Sequence, residues 1–166
     1  DLKNLTATYN ELKNILPNVL GKTLPTEFRK FGKFTAKGKI NVTPDQMDAT
    51  VNLKSQIGNI ISDLQISNID DIDYAAYSGE IALNKFNVGV LFNDPLFGEV
   101  SLKGDVKGSG FKLENINTAF IGKVSELNFN GYAYQNYFKT GNYFGWHDDY
   151  EQTAQVTLRK VVTDHY

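Results

Sequence analysis

From Phe34 onward, apolar residues occupy every second position, and glycine repeatedly takes a place on the apolar side. In the stretch FTAKGKINV, Phe34, Ala36, Gly38, Ile40 and Val42 share one side, while Thr35, Lys37, Lys39 and Asn41 share the other. After the turn TPDQ, where Pro44 presets the backbone, QMDATVNL places Met47, Ala49, Val51 and Leu53 opposite Gln46, Asp48, Thr50 and Asn52. The same alternation brings together Ile60, Leu64 and Ile66, then Tyr77, Gly79, Ile81 and Leu83, then Val100, Leu102, Gly104 and Val106. It ends with Phe120, Gly122 and Val124, followed by Leu127, Phe129 and Gly131. A period of two is the period of a strand. One-sided strands separated by short turns predict an antiparallel meander that is apolar on one face.

Glycine inside a strand weakens it and marks a bend or a close backbone approach. Gly38, Gly79, Gly104, Gly122 and Gly131 all fall on the apolar side, so the sheet is expected to curl on itself. Two phrases recur. FGKFTAKGKINV, starting at Phe31, matches FGEVSLKGDVKG, starting at Phe97, and LKNLTATY, starting at Leu2, matches LENINTAF, starting at Leu113. The shared Phe-Gly phrase carries no obvious nucleophile, base or metal ligand, so the repetition is read as architecture: each copy supplies strands that cannot hide their apolar face alone. The expected fold is mostly β, a curled antiparallel meander forming a half-pipe groove with short N-terminal helical segments. The expected organisation is a strand plus short helices over residues 1–32, repeated strands over 33–137, and a divergent turn and strand over 138–166.

Helical periodicity is confined to YNELKNILPNVLG, where Leu12, Ile15, Leu16, Val19 and Leu20 make an apolar stripe. Asn10 is expected to cap it and Gly21 to end it, with Pro17 as an interruption. LPTEFRKFG then offers Pro25 as a first helical residue and Gly32 as a stop.

With 17 basic against 19 acidic side chains there is no global field to attract nucleic acid or a membrane surface. The absence of cysteine excludes disulfides and thiolate metal sites. No apolar run approaches the roughly 18 residues of a spanning helix, and Asp1 in place of methionine predicts an excised piece.

Each polar cluster has a plain reading. IDDIDY, with Asp70, Asp71 and Asp73, lacks the spacing and glycine of a calcium loop and is expected to be an acidic hairpin tip. GWHDDYE sets His147 beside Asp148, Asp149 and Glu151, with His165 further on, but sequence neighbours on a strand face opposite ways, so a polar turn is expected. GDVKGSG has no phosphate-loop lysine after it and is read as a hairpin turn. In KTLPTEFRKFGKFTAKGK, Lys22, Arg29, Lys30, Lys33, Lys37 and Lys39 are read as a solvated face, with Phe28, Phe31 and Phe34 as core. No catalytic residue, metal site or cofactor is expected.

The apolar face is the largest feature, and two readings of it stand. It is the core of a closed sandwich, or it is an open channel lined by Phe34, Ile40, Met47, Val51, Leu53, Ile60, Leu64, Leu83, Leu102, Phe120 and Phe129. The closed form would be a structural or adhesive domain, recognising glycan through tyrosines such as Tyr132, Tyr134 and Tyr137. The open form suits acyl chains, which supply the apolar contacts that a second sheet otherwise would.

Over residues 2–137 the chain resembles the AsmA/TamB-like proteins in their Bacteroidetes form. The matching motifs are Leu24-Pro25, residues 31–38 (Phe-Gly-x-Phe-x-x-x-Gly), residues 86–95 with Val90 before Leu91, residues 111–115 (Phe-x-Leu-Glu-Asn) and residues 129–134 (Phe-Asn-Gly-Tyr-x-Tyr). Past Tyr137 the match fades. The resemblance implies a segment of a periplasm-spanning protein, anchored in the inner membrane, whose strands curl into a "β-taco" groove. It implies phospholipid as cargo, moving passively towards the outer membrane. It further implies an outer-membrane barrel partner linked to outer-membrane protein assembly.

Overall fold

The computed structural model describes residues 1–15, 26–71, 73–111, 115–140, 143–145 and 154–159. The strands are β1 (Leu2–Ala7), β2 (Phe34–Val42), β3 (Gln46–Ser55), β4 (Gly58–Ser67), β5 (Ala76–Asn87), β6 (Phe97–Ser109), β7 (Asn117–Phe129), β8 (Tyr132–Thr140), β9 (Tyr143–Gly145) and β10 (Ala154–Arg159). From β1 to β9 their order in the sheet is their order in the chain, and every pairing is antiparallel. The meander is therefore open, with β1 at one edge. β10 returns to β7, pairing the half that β8 leaves free: Arg159 lies opposite Asn117 and Ala154 opposite Gly122. β8 pairs the other half, from Phe129 opposite Tyr132 to Val124 opposite Tyr137.

Among the described residues, three helical pieces interrupt the strands. α1 (Tyr9–Ile15) and a 3-10 turn (Thr26–Phe31) lie between β1 and β2, and α2 (Val88–Phe92) lies between β5 and β6. α1 starts after Thr8, whose backbone N–H and hydroxyl both donate to Glu11 Oε2, at 2.7 and 2.9 Å. Both bonds run from Thr8 to Glu11, one half of a capping box, and Leu12 N–H donates to Thr8 O at 2.9 Å, which places the cap at Thr8 with Asn10 already helical. Leu16, Pro17, Val19, Leu20, Gly21 and Pro25 lie outside the described residues. Gly32 does end the 3-10 turn, at φ 62°.

The apolar alternation gives no sign of α2. Its five residues, VGVLF, have weak helix propensity, and the signal resides in the flanks. Asn87 Oδ1 accepts from Val90 N–H at 2.9 Å, and Asn93 closes the other end in the left-handed region at φ 55°. The recurring Phe-Gly phrase therefore has a structural cause. Each copy follows a short helix, β2 and β6 run in the same direction, and the 3-10 turn packs beside α2.

Two expectations about glycine change. Gly131 is in a tight turn, not on the strand face: Asn130 and Gly131 have φ 51° and 78°, the two positive values that a two-residue hairpin turn demands. The stretch GDVKGSG is strand up to Ser109, because β5 and β7 pair with it on both sides. IDDIDY is a tip between β4 and β5, with Asp70 and Asp71 exposed.

The apolar face carries two buried clusters. At one end of the strands, Met47, Ala49, Ile66, Ile69, Ala75, Tyr77 and Val106 pack together with Phe111. At the other end, Ala7, Phe31, Phe34, Ala36, Ile57 and Phe86 pack with Phe28, Leu83 and Leu91. Val51 packs against both.

Candidate functional site: the apolar face and its waist

Between the two clusters runs one rung of paired residues across six strands: Gly38, Val51, Ser62, Ile81, Gly104 and Gly122. None of the six is buried. Three glycines and a serine leave the waist low on four of its six strands, with Val51 and Ile81 between them, and at the glycines a side chain cannot be accommodated. A Cβ on Gly38, whose φ is 147°, would stand 1.9 Å from Thr50 O, and one on Gly104 would stand 2.3 Å from Ile121 O. The backbones approach as they do because those side chains are missing.

The face is open along the waist and covered along two lips, one at each end of the strands. One lip is covered by the 3-10 turn. Phe31 stacks on Phe28 at 5.1 Å between ring centroids and meets Phe34 and Phe86 edge-on at 6.4 and 6.0 Å. Arg29 lies over the Tyr9 ring at 5.1 Å, and Lys30 Nζ donates to Asn93 Oδ1 at 2.7 Å, tying the 3-10 turn to the end of α2. The other lip is covered by loop residues Ile69 and Ala75 and by Phe111, which packs on Tyr77 at 4.9 Å.

Of the eleven residues expected to line an open channel, Phe34, Met47 and Phe120 are buried. They belong to the covered lips and the adjoining core. Ile40, Val51, Leu53, Ile60, Leu64, Leu83, Leu102 and Phe129 are half-buried. Phe129 is set apart from the rest, tilted against Phe97 at 5.0 Å where β6 begins. Leu53, Ile60, Leu83 and Leu102 stand in register beside the waist on one side, and Ile40 and Leu64 on the other.

Phe28, Phe31 and Phe34 are core-facing, and Lys37 and Lys39 point into solvent. Tyr132 is exposed and Tyr134 half-buried, while Tyr137 is placed only by its pairing opposite Val124. His147, Asp148, Asp149, Glu151 and His165 lie outside the described residues, as does Lys22. Among the described residues no group of three His, Cys, Asp or Glu is arranged to hold a metal ion, and no helix is long and apolar enough to cross a membrane.

The strand alternation concealed one further feature. A concavity of about 630 Å³ lies on the opposite, polar face, where Lys54, Lys85, Lys103 and Lys123 gather on β3, β5, β6 and β7. These lysines are far apart in the chain, and only the register brings them together.

Compared with family models, with curated proteins and with solved structures, the chain matches none.

Proposed function

We propose that this chain is a segment of a lipid-conducting groove, in which phospholipid acyl chains lie along the waist of the apolar face while headgroups stay in water. One observation carries the reading. The waist crosses β2 to β7 with none of its six residues buried, and it is bordered by half-buried leucine and isoleucine side chains. Six strands span about 24 Å at the usual inter-strand spacing. Half of a bilayer's hydrocarbon core is about 15 Å, so the waist is long enough to accept an acyl chain. Each methylene withdrawn from water contributes about 0.8 kcal/mol. Transport would be passive, with no residue performing chemistry. The motifs shared with AsmA/TamB-like proteins favour the same reading, and with it a place in the periplasm, an inner-membrane anchor on the parent protein and an outer-membrane barrel as partner.

A second reading is a structural or adhesive domain that fills its own core, recognising glycan through exposed tyrosines. The Phe28–Phe31 pair supports it, because the chain's own aromatic rings already occupy one lip.

Native mass spectrometry of protein purified gently from bacteria, followed by organic extraction, separates the two. Discrete added masses matching phospholipid are expected. The Leu102→Asp variant should stay folded and lose them, since Leu102 borders the waist and is half-buried. A clean protein mass that takes up no added phospholipid, with Leu102→Asp unfolded, would establish the closed core instead.

A further inference from the structure

The concavity on the polar face is built by irregularities in three adjacent strands. Between Leu83 and Phe86, β5 carries one residue more than β6. β6 carries one more than β7 between Phe97 and Val100, and β7 carries one more than β6, Ser125, between the partners of Ser101 and Leu102. These β-bulges sit side by side, and each bends its strand. Lys85, in the β5 bulge, adopts φ 47°, a left-handed conformation that a lysine rarely takes. Its N–H donates to Ser101 Oγ at 3.0 Å, and the Ser125 hydroxyl donates to Ser101 O at 3.2 Å. The bulges also reset the alternation, so that Leu83 and Phe86 both face the apolar side while Asn84, Lys85 and Ser125 line the concavity. Local backbone strain and stacked bulges concentrate at functional sites.

The charges there are unbalanced. Lys103 and Lys123 lie directly opposite each other on β6 and β7, a like-charge cross-strand pair that is destabilising by itself. With Lys54 and Lys85 they make four cations against one carboxylate, Glu126, which accepts from the Ser101 hydroxyl at 3.4 Å. Among the described residues none of the four ammonium groups is held in an ion pair. An acidic rung of Asp63, Glu80 and Asp105 borders the concavity two residues along the strands, confining its positive end to the bulge side. The remaining lining is amide, hydroxyl and an apolar patch of Ile61, Ala82, Leu83 and Leu102, with no aromatic ring or guanidinium.

We infer that this concavity binds a phosphate ester of a sugar or polyol. Ammonium groups pair with the phosphate as point charges. Asn52, Asn59, Asn84 and Ser125 supply donors and acceptors for hydroxyls, and Ile61, which is 54% exposed, meets the carbon side of the ring or chain. With no aromatic side chain to stack a base, a nucleotide is not favoured. The site opens on the face opposite the waist; Leu83 and Leu102 line it as well as bordering the waist, and its assignment does not depend on the lipid reading.

The test is an NMR titration of the whole chain with glucose 6-phosphate, alongside glucose and inorganic phosphate. Saturable shifts are expected at the Ala82, Lys85, Lys103 and Lys123 amides, with glucose silent and inorganic phosphate weaker. Lys103→Gln with Lys123→Gln should weaken binding about tenfold or more, equivalent to at least 1.4 kcal/mol. Lys107→Gln, further along β6 and outside the concavity, should leave it unchanged. Removing the like-charge pair should not lower the urea midpoint, and Lys103→Gln alone serves if the double variant does not fold. Flotation with phosphatidylglycerol vesicles distinguishes the source. Wild-type chain that floats where the double variant does not identifies a lipid headgroup, and binding of free sugar phosphate alone identifies a soluble ligand. Absence of saturable shifts at millimolar glucose 6-phosphate, equal affinity for inorganic phosphate, or shifts spread equally over Lys37, Lys39 and Lys107 would each overturn the assignment.

Discussion

The hydroxyl of Tyr77 on β5 hydrogen-bonds the hydroxyl of Thr118 on β7, across the strand that separates them. The three positions are in register: Tyr77 is opposite Gly108, and Gly108 is opposite Thr118. A Cβ on Gly108 would lie 2.7 Å from Thr118 Oγ1 and 2.5 Å from Asn117 O. The glycine therefore makes room for a bond that stitches three strands together at the covered lip. Tyr77→Phe is expected to cost about 1–2 kcal/mol, because it leaves the buried Thr118 hydroxyl without its partner. Gly108→Ala should cost more than a normal glycine-to-alanine change in a strand, since it displaces Thr118 as well. Urea unfolding of both variants measures the difference.

Burial pushes the Tyr77 phenol above the ordinary tyrosine value, and the hydrogen bond to Thr118 opposes that rise only in part. The folded state thus favours the neutral phenol more than the unfolded state does. Its contribution is complete below the unfolded tyrosine value and is lost as the pH climbs through the raised folded one. Wild-type stability should fall in that alkaline window, and Tyr77→Phe should fall less steeply. Equilibrium unfolding across pH 9 to roughly 11.5 reads this directly.

The alternation of apolar and polar residues was sufficient to place Phe34 to Leu53 correctly, because β2 and β3 are regular strands with one covered face. It fails where an extra residue shifts the phase. Leu83 and Phe86 face the same way although an even-odd count separates them, and Val124 and Leu127 do likewise. The concavity was illegible for the same reason: its walls are bulges, and its lysines become neighbours only through pairing across the five strands β3 to β7. α2 was hidden because its stabilising groups, Asn87 and Asn93, are outside the helix itself. The turn at Asn130 and Gly131 was present as the Asn-Gly dipeptide, a strong hairpin signal, but the apolar alternation around it competed for the glycine.

The Phe31 ring is the centre of the covered lip, touching Phe28, Phe34 and Phe86. Phe31→Ala should destabilise by about 3–5 kcal/mol, the usual cost of emptying a buried aromatic site. If the waist holds acyl chains, a milder Phe31→Leu change should preserve folding and leave lipid occupancy intact, as read by extraction and mass spectrometry.

At the waist, Gly104 and Gly122 face each other on β6 and β7, and a Cβ on Gly104 would come within 2.5 Å of the Gly122 Cα. Gly104→Val is expected to cost roughly 2 kcal/mol or more through forced backbone displacement, despite the higher strand propensity of valine. A thermal melt showing no loss would mean that the strands can separate there without penalty.

The first turn of α1 should respond to acid. Hydrogen bonds from the Thr8 backbone and hydroxyl, with a smaller contribution from Lys33, hold the Glu11 carboxyl below the usual carboxylate range. A depressed folded value means the stabilisation is present above the ordinary glutamate value and disappears as the pH falls through the folded one. Amide exchange in α1 should accelerate across that interval in the wild type and show little pH dependence of this origin in Glu11→Gln.

Because neighbours in the sheet are neighbours in the chain, each strand from β2 to β8 can join an edge that earlier residues have already formed. Assembly then advances by short loop closures, which carry a lower entropic barrier than the long-range pairings of most β proteins. β10 is the exception. It must reach back past β8 and β9 to the free half of β7, which makes its docking a late event and leaves that half of β7 available to another strand until the docking is complete.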